Sequence, residues 1–327
     1  MPSRTRWPLA VWLVLLAFAQ VGALAVIWWV FVRTADGQSL DAVALSGRSI
    51  GQTRVDGLVT RALNTITAVS VIAATIAIGF VALARRRYRL AVVATLLIVG
   101  ANLTTQLLKR SLIERPDLGV EGVETNLNSL PSGHTTVAAS MAVAAVLVLP
   151  PRLRGGVALA GTCYAALVGI ATLAEGWHRP SDAVAAFLVV GAWSAAAGFV
   201  LVVTERESER STPPSGRERR CSPASGTSWS DGAHPYALTL LFVAGLALLT
   251  VAAVALGITD QTPHPAPENL SWRRLFAAYS GAAAGIAGTA CMVMVMVLAT
   301  VHRVVPSRDT SQPPGPSRRN AVTTGPH

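Results

Sequence analysis

Two histidines stand at the ends of long apolar runs, where titratable side chains are unusual. His134 ends the stretch "PSGH" and opens the apolar run that follows it. His178 lies four residues before Asp182 in "WHRPSD", and Pro180 between them suits the first turn of a helix. At that spacing the carboxylate can accept a hydrogen bond from one imidazole nitrogen and orient the other nitrogen outward. The pair is typical of acid–base or nucleophilic chemistry, although His-x-x-x-Asp alone is a weak signal.

Cations and a helix start accompany the two histidines. Lys109 is the only lysine among 27 basic residues, and Arg115 follows it closely. An ammonium and a guanidinium differ in hydration and hydrogen-bond geometry, so one of each indicates a site that uses both. Ser132 is suited to capping the helix that begins near His134, and Gly133 permits close approach of the backbone to a ligand. The free N–H groups and the dipole of such a helix start favour an anion.

This combination of side chains predicts phosphoryl transfer. Cations and backbone amides hold the phosphate oxygens and stabilise the transition state, while one histidine attacks phosphorus and the other protonates the leaving oxygen. None of the three cysteines has a metal-ligand spacing, and no glutamate cluster accompanies the histidines. Neither a metal ion nor another cofactor is therefore expected.

The elements that must position these residues are membrane-spanning helices. Of the 327 residues, 52% are hydrophobic and 13% are charged, whereas soluble domains carry about 25% charge. A helix needs about 20 apolar residues to cross the bilayer. Eight stretches qualify, of which the fourth is the shortest: 8–33, 59–84, 89–108, 134–150, 155–175, 181–203, 236–258 and 275–302. The expected fold class is an all-α membrane protein.

The first apolar stretch has a second interpretation. Arg4 and Arg6 precede it, and Ala23-Leu24-Ala25 is similar to the cleavage site of a signal peptide. The apolar run nevertheless continues to Phe31, which is too long for a usual signal core. A retained helix is therefore favoured.

Basic residues indicate the orientation of the spans. The net charge is +10, but the arginines lie at the ends of apolar spans rather than on one soluble face, so a nucleic-acid partner is not expected. The triple arginine at 85–87 is the strongest cytoplasmic cluster. It predicts a multi-pass protein of the cell membrane with both termini in the cytoplasm. The segments outside would be 34–58, 109–133, 176–180 and 259–274.

Two polar stretches divide the chain. Residues 204–235 and 303–327 are rich in Ser, Pro, Gly and charge and have too few apolar residues to form a core. We expect both to be disordered and cytoplasmic. The predicted organisation is a six-span membrane domain over 1–203, the linker, a two-helix membrane hairpin over 236–302, and the tail.

Three motifs resemble those of the type-2 phosphatidic acid phosphatase superfamily of membrane lipid phosphatases. Lys109 with Arg115-Pro116 resembles the first motif, Pro131-Ser132-Gly133-His134 matches the second, and His178 with Asp182 matches the end of the third. The similarity covers about 1–203. Because family members have a six-helix membrane core, the resemblance implies a lipid-phosphatase-like bundle. It leaves the last two spans as an addition.

The resemblance also implies a role for each matched residue. His178 would be the nucleophile that forms a phosphohistidine intermediate, and Asp182 would orient it. His134 would be the general acid for the leaving lipid alcohol. Phosphate would be bound by Lys109, Arg115, Ser132 and the backbone of Gly133, without a metal.

The sequence departs from the family pattern at two places. Five residues separate Lys109 from Arg115, one fewer than in the family, and a frayed helix end would absorb the difference. Ala171-Thr172 occupies the position of a Ser-Arg pair, so a phosphate-binding arginine is missing. Loss of such a guanidinium costs orders of magnitude in rate. Arg179, beside the nucleophile, or Arg110 is the candidate substitute.

The predicted function is a lipid phosphate or pyrophosphate phosphatase with an extracytoplasmic active site. Polyprenyl pyrophosphate, phosphatidic acid and other membrane lipid phosphates are candidate substrates. The alternative is a catalytically impaired or inactive protein of the same fold that binds phospholipid headgroups, and Ala171-Thr172 motivates it. A transporter is disfavoured because no paired, broken helices occur in matching halves. The oligomeric state stays open.

Overall fold

The computed structural model describes residues 6–48, 76, 88–120, 128–211, 234–259 and 270–304. These ranges contain eight α-helices and no β-strand, so the predicted all-α fold class is confirmed. A π-helical turn over Leu108–Leu112 continues the third helix. The helices are α1 (Arg6–Arg33), α2 (Ala35–Ser46), α3 (Tyr88–Leu107), α4 (Gly133–Val148), α5 (Pro151–Ala174), α6 (Pro180–Ser211), α7 (His234–Thr259) and α8 (Trp272–Val304).

Within the described ranges, six helical segments are long and apolar enough to cross a membrane, which makes the chain a multi-pass membrane protein. They correspond to predicted spans one, three and five to eight. The fourth predicted span is α4, whose 16 residues reach about 24 Å at about 1.5 Å per residue. That is less than the hydrocarbon thickness of about 30 Å. The second predicted span, 59–84, lies outside the described residues except for Ile76.

The polar stretches are described only at their edges. α6 runs on to Ser211, eight residues into the segment 204–235 that was predicted to be a linker, and α7 begins at His234. A helical conformation therefore replaces the expected disorder over 204–211. The rest of the linker and the tail beyond Val304 lie outside the described residues.

The two C-terminal helices pack against each other and against the preceding bundle. A Cβ atom at Gly281 would contact Ala255, and one at Gly288 would contact Leu249, so small residues on α8 allow α7 to approach closely. Ile286 of α8 is fully buried and packs against Gly169 of α5. α7 and α8 therefore contribute to the same hydrophobic core as α3 to α6.

α2 is a helix that the sequence did not predict, because the segment 34–58 was expected only to be an outer connection. Thr34 caps it by accepting a hydrogen bond from the Gly37 N–H at 3.1 Å, and Asp36 lies in its first turn. Val43 and Ala44 are buried against α8. α2 thus follows α1 directly in the chain and packs against the beginning of α8.

The helix ends that carry the predicted site residues meet at one end of the bundle. The Ser132 N–H, at the start of α4, donates to the Asp182 carbonyl at the start of α6 over 2.9 Å. The Asn128 side-chain amide donates to the carbonyls of Lys109 and Ile113, at 3.1 and 2.8 Å, and so ties the end of α3 to the segment before α4. These bonds gather the three motif segments.

Candidate active site

The turn between α5 and α6 fixes His178. The backbone N–H groups of Trp177 and His178 both donate to the Thr172 carbonyl, at 3.0 and 3.2 Å, and close the end of α5. Gly176 has a φ of 73°, in the left-handed region that favours glycine. Pro180 then begins α6 as predicted. The turn holds the histidine against the first turn of α6.

Asp182 orients the His178 ring. Its Oδ2 atom lies 3.2 Å from His178 Nδ1, 2.9 Å from the Arg179 backbone nitrogen and 2.5 Å from the Ser129 hydroxyl oxygen. An ionised carboxylate only accepts hydrogen bonds, so we assign the imidazole hydrogen to Nδ1. The lone pair of Nε2 is then free, as a nucleophile requires. The expected His178–Asp182 contact is present in the structure.

His134 lies beside His178, although 44 positions separate them in the sequence. The centroids of the two imidazole rings are 6.4 Å apart, and the Trp177 ring lies 5.6 Å from His134 on another side. His134 is half-buried, whereas His178 is buried. The helix ends that meet here therefore bring the two imidazole rings side by side at one end of the bundle.

The start of α4 carries His134 and has backbone N–H groups beside it. Ser132 is buried, and its hydroxyl oxygen caps the helix by accepting from the Thr135 N–H at 3.4 Å. The N–H groups of Gly133 and His134, in the first turn, have no acceptor within the helix. A Cβ atom at Gly133 would lie 3.5 Å from Gln106 Nε2, an ordinary contact, so the surrounding side chains do not require a glycine there.

Arg115 is buried, and its guanidinium has no hydrogen-bond acceptor in the part of the chain that the structure describes. Among the described residues, none accepts from its Nε, Nη1 or Nη2 atoms, and Asp41 Oδ2 lies 3.8 Å from Nη2. Burial lowers the pKa of Arg115, and the charge of Arg179 lowers it further; an arginine nevertheless stays protonated. A guanidinium with unused donors inside the protein is suited to an anion with several oxygens.

The shortened spacing between Lys109 and Arg115 coincides with an ordered change of helix type. Instead of fraying, α3 ends in the π-helical turn, in which the Ile113 N–H donates to the Leu108 carbonyl at 3.0 Å. Ile113 is extended, and the chain then leads Arg115 into the interior. Lys109 is half-buried in the turn, close enough for its charge to act on His134.

Arg179 supplies a second guanidinium, and Arg110 does not. Arg179 is buried, donates from Nη1 to the Ser129 hydroxyl at 3.2 Å, and interacts electrostatically with Arg115. Arg110 is exposed. At the position of the missing family arginine, the Thr172 hydroxyl donates to the Gly169 carbonyl within its own helix.

Several residues near the site were missed in the sequence. Asp41 of α2 is buried and accepts hydrogen bonds from the hydroxyl and backbone N–H of Ser181, at 2.5 and 3.4 Å. Burial raises its pKa to about 7. A single acid in a polar connection gives no signal in the sequence. Asn128 and Ser129 directly precede the "PSGH" motif, and their polarity was the available signal.

Metal-ligating side chains do not cluster in the described ranges. No group of three or more His, Cys, Asp or Glu residues there is arranged to hold a metal ion. The carboxylate of Asp182 is engaged by three hydrogen-bond donors, and the cations near the two histidines are arginines and a lysine. Guanidinium and ammonium groups of this kind can hold an anion.

The fold and the site define a multi-pass membrane protein with a buried histidine–carboxylate pair beside two guanidinium groups. Residues 88–207 match the model of the PAP2 superfamily. Over these residues the chain is similar to the type-2 phosphatidic acid phosphatase superfamily, a family of phosphatases, and the match supports the resemblance predicted from the motifs. The match includes α3 to α5 and most of α6. Comparisons with curated proteins and with solved structures found no match.

Proposed function

We propose that the protein is a lipid phosphate or pyrophosphate phosphatase that works through a phosphohistidine without a metal ion. One observation carries the proposal: the centroids of the His134 and His178 rings lie 6.4 Å apart, and a buried carboxylate fixes the His178 ring. A nucleophile approaches phosphorus from about 3 Å, and a general acid needs about 2.6–3.2 Å to the leaving oxygen. One phosphoryl group between the rings suits both contacts.

The chemistry proceeds in two displacements. The lone pair of His178 Nε2 forms a bond to phosphorus while the bond from phosphorus to the leaving lipid oxygen breaks, and His134 gives that oxygen a proton. Asp182 stabilises the charged ring through Nδ1. Neutral His134 then takes a proton from water, whose oxygen attacks phosphorus. The N–P bond breaks, and inorganic phosphate leaves.

The cations stabilise the phosphoryl oxygens. Arg115 offers unused donors from a buried position, and Lys109 and the Gly133 N–H lie on neighbouring segments. Such preorganised donors are worth most where water is excluded. Packing against neighbouring side chains does not require a glycine at position 133, which supports a close approach of substrate to the backbone there.

Arg179 takes the place of the missing family arginine. Its burial, its contact with Ser129 and its interaction with Arg115 support this assignment. Arg110, the other candidate, is exposed. Arg179, in the turn between α5 and α6, therefore compensates for the absent Ser-Arg pair at 171–172. Arg110, in the π-helical turn, does not.

The substrate is a membrane lipid, and the site opens at the extracytoplasmic face of the cell membrane. The site residues cluster at the ends of apolar spans, where headgroups lie. Arg152 and Arg154 at the start of α5 lie at the other end of that helix, and arginines are enriched in cytoplasmic segments. The same rule places both termini in the cytoplasm.

The test is phosphate release by the purified protein from a panel of lipid phosphates in the presence of a metal chelator. We expect turnover by the wild type and none by His178→Gln, and an acid-labile phosphoenzyme that forms from labelled substrate only in the wild type. Arg152→Ala, exposed at the opposite end of α5, is the matched control. Equal rates for wild type and His178→Gln would leave the alternative, a protein that only binds phospholipid headgroups.

A further inference from the structure

Asp41 lies outside the segment that matches the phosphatase family, yet it contacts the candidate site from two directions. It is on α2, before the matched segment begins at Tyr88, and its side chain is 1% exposed. A carboxylate that is so deeply buried is costly unless hydrogen bonds and opposite charges compensate it. Its partners therefore indicate what it does.

The first partner is the beginning of α6. The Ser181 hydroxyl donates to Asp41 Oδ2 at 2.5 Å, and the Ser181 backbone N–H points to Oδ1 at 3.4 Å. The first N–H groups of a helix lack acceptors within it, so Asp41 caps α6 from another helix. Asp182, which orients His178, is the next residue. Asp41 thereby restrains the turn that carries the proposed nucleophile.

The second partner is Arg115. The distance of 3.8 Å from Asp41 Oδ2 to Arg115 Nη2 is too long for a hydrogen bond but within the range of an ion pair. The carboxylate attracts the guanidinium without occupying its donors. A second contact supports the same segment, since the Gln38 side chain of α2 donates to the Pro116 carbonyl at 3.1 Å. α2 thus holds Arg115 in place while its donors stay available to an anion.

α8 in turn supports α2. Val43 and Ala44 of α2 are buried against Ala278 of α8. A Cβ atom added at Gly47, which ends α2, would lie 2.6 Å from the Leu275 carbonyl oxygen, a backbone atom that cannot move aside easily. The contact between the two helices is therefore close. An element beyond the family-matched segment fixes the helix that carries Asp41.

We propose that Asp41 is a positioning residue, which holds Arg115 and the start of α6 in the geometry for phosphate binding, and that α8 supports it through α2. This inference rests on the proposed function. It assigns a role to the C-terminal helix α8, which lies outside the family-matched residues 88–207: by packing on α2, α8 would keep Asp41 beside the phosphate-binding residues. Asp41 itself does not touch the substrate.

The test measures kcat/KM, inhibition by inorganic phosphate and thermal unfolding for Asp41→Ala, Asp41→Asn, Arg115→Ala and the double variant Asp41→Ala/Arg115→Ala. Loss of a partner that orients a binding group costs about 10- to 100-fold. We expect Asp41→Ala to lose that much in kcat/KM and to weaken phosphate inhibition. In the Arg115→Ala background, the same change should cost much less, because coupled residues are not additive. Asp41→Asn can keep two hydrogen bonds to Ser181, with Oδ1 accepting from the N–H and Nδ2 donating to the hydroxyl, so it should still fold, with a stability difference from the wild type that depends on pH, but should lose phosphate affinity.

Gly47→Ala tests the support from α8 without altering a charged group. We expect weaker phosphate inhibition than in the wild type, whereas Gly22→Ala on α1, where an added Cβ meets nothing within 4 Å, serves as the control and should match the wild type. Should Asp41→Ala fold poorly, Asp41→Asn and Gly47→Ala still decide the question.

The outcomes distinguish this inference from the proposed function. Wild-type kinetics in Asp41→Asn and Gly47→Ala, together with an inactive His178→Gln variant, would overturn the inference and leave the phosphatase intact. Additive losses in the double variant would likewise reduce Asp41 to a purely structural residue. An inactive wild type would instead refute the proposed function.

Discussion

Replacement of Arg179 by alanine tests whether a guanidinium from a new position does the work of the missing family arginine. The side chain is 8% exposed and donates one hydrogen bond, from Nη1 to Ser129, while no described residue accepts from its Nε. Donors remain for the phosphoryl oxygens. In a water-poor site, one such donor contributes about 2.7–4 kcal/mol to the transition state, so kcat should fall about 10²- to 10³-fold.

The fold should tolerate this substitution. Asp182 keeps the Ser129 hydroxyl, the His178 Nδ1–H and the backbone N–H of residue 179 as donors. Removal of one positive charge also relieves its repulsion with Arg115. We therefore expect the midpoint of thermal unfolding to stay the same or to rise while activity falls. That combination separates a catalytic defect from a folding defect.

The assay is phosphate release from a lipid phosphate by protein in detergent micelles, with unfolding followed by circular dichroism. Arg179→Lys keeps the positive charge but loses the planar guanidinium that can donate to two oxygens at once, so it should give an intermediate rate. Arg110→Ala, an exposed substitution, should change the rate by no more than about twofold. A nearly unchanged rate in Arg179→Ala, or a large loss in Arg110→Ala, would refute the assignment.

Two further predictions concern pH and the general acid. The pKa of Asp41 is raised to about 7 from an ordinary 3.8 by burial, so between these values the folded state holds a proton that the unfolded state has lost. The free energy of unfolding of the wild type, relative to Asp41→Asn, should therefore fall from about pH 4 to about pH 7 and then level off. A rise over that range would contradict the upward direction of the pKa shift of Asp41. Trp177 packs beside His134 at 5.6 Å, and an aromatic pair contributes about 0.5–1.5 kcal/mol, so Trp177→Ala should lower kcat about 2- to 10-fold with a lipid phosphate. The loss should be smaller with p-nitrophenyl phosphate, whose leaving group needs less protonation, and equal losses would argue against a role through His134.

The sequence alone predicted the class of fold and one local contact of the candidate site. Apolar length and low charge predicted helices that cross a membrane, because the bilayer imposes a minimum length on each span and requires backbone hydrogen bonds within it. The contact between His178 and Asp182 was also predictable, since residues four apart around a helix start are neighbours whatever the rest of the chain does. Local geometry was sufficient for both.

Other features depended on contacts between segments far apart in the chain. The proximity of His134 and His178 was expected from the orientation of the spans, but its distance follows from how α4 and α6 pack. The choice of Arg179 over Arg110 was undecided, because burial is a property of the folded chain and both arginines stand near matched motifs. The π-helical turn replaced the expected fraying for the same reason: Asn128, from another segment, bonds to its carbonyls.

Asp41 shows most clearly what only the tertiary structure decided. In the sequence it is one acid in a polar connection, and no spacing links it to Arg115 or Ser181. In the structure, α2 folds back between α1 and α8 and brings that carboxylate to both residues. Sequence periodicity reports which face of one helix is apolar, whereas the electrostatic environment of a buried charge is set by the elements that pack around it. The motifs predicted the groups proposed to bind phosphate, whereas only the packing of α2 and α8 brought the Asp41 carboxylate next to one of them, Arg115.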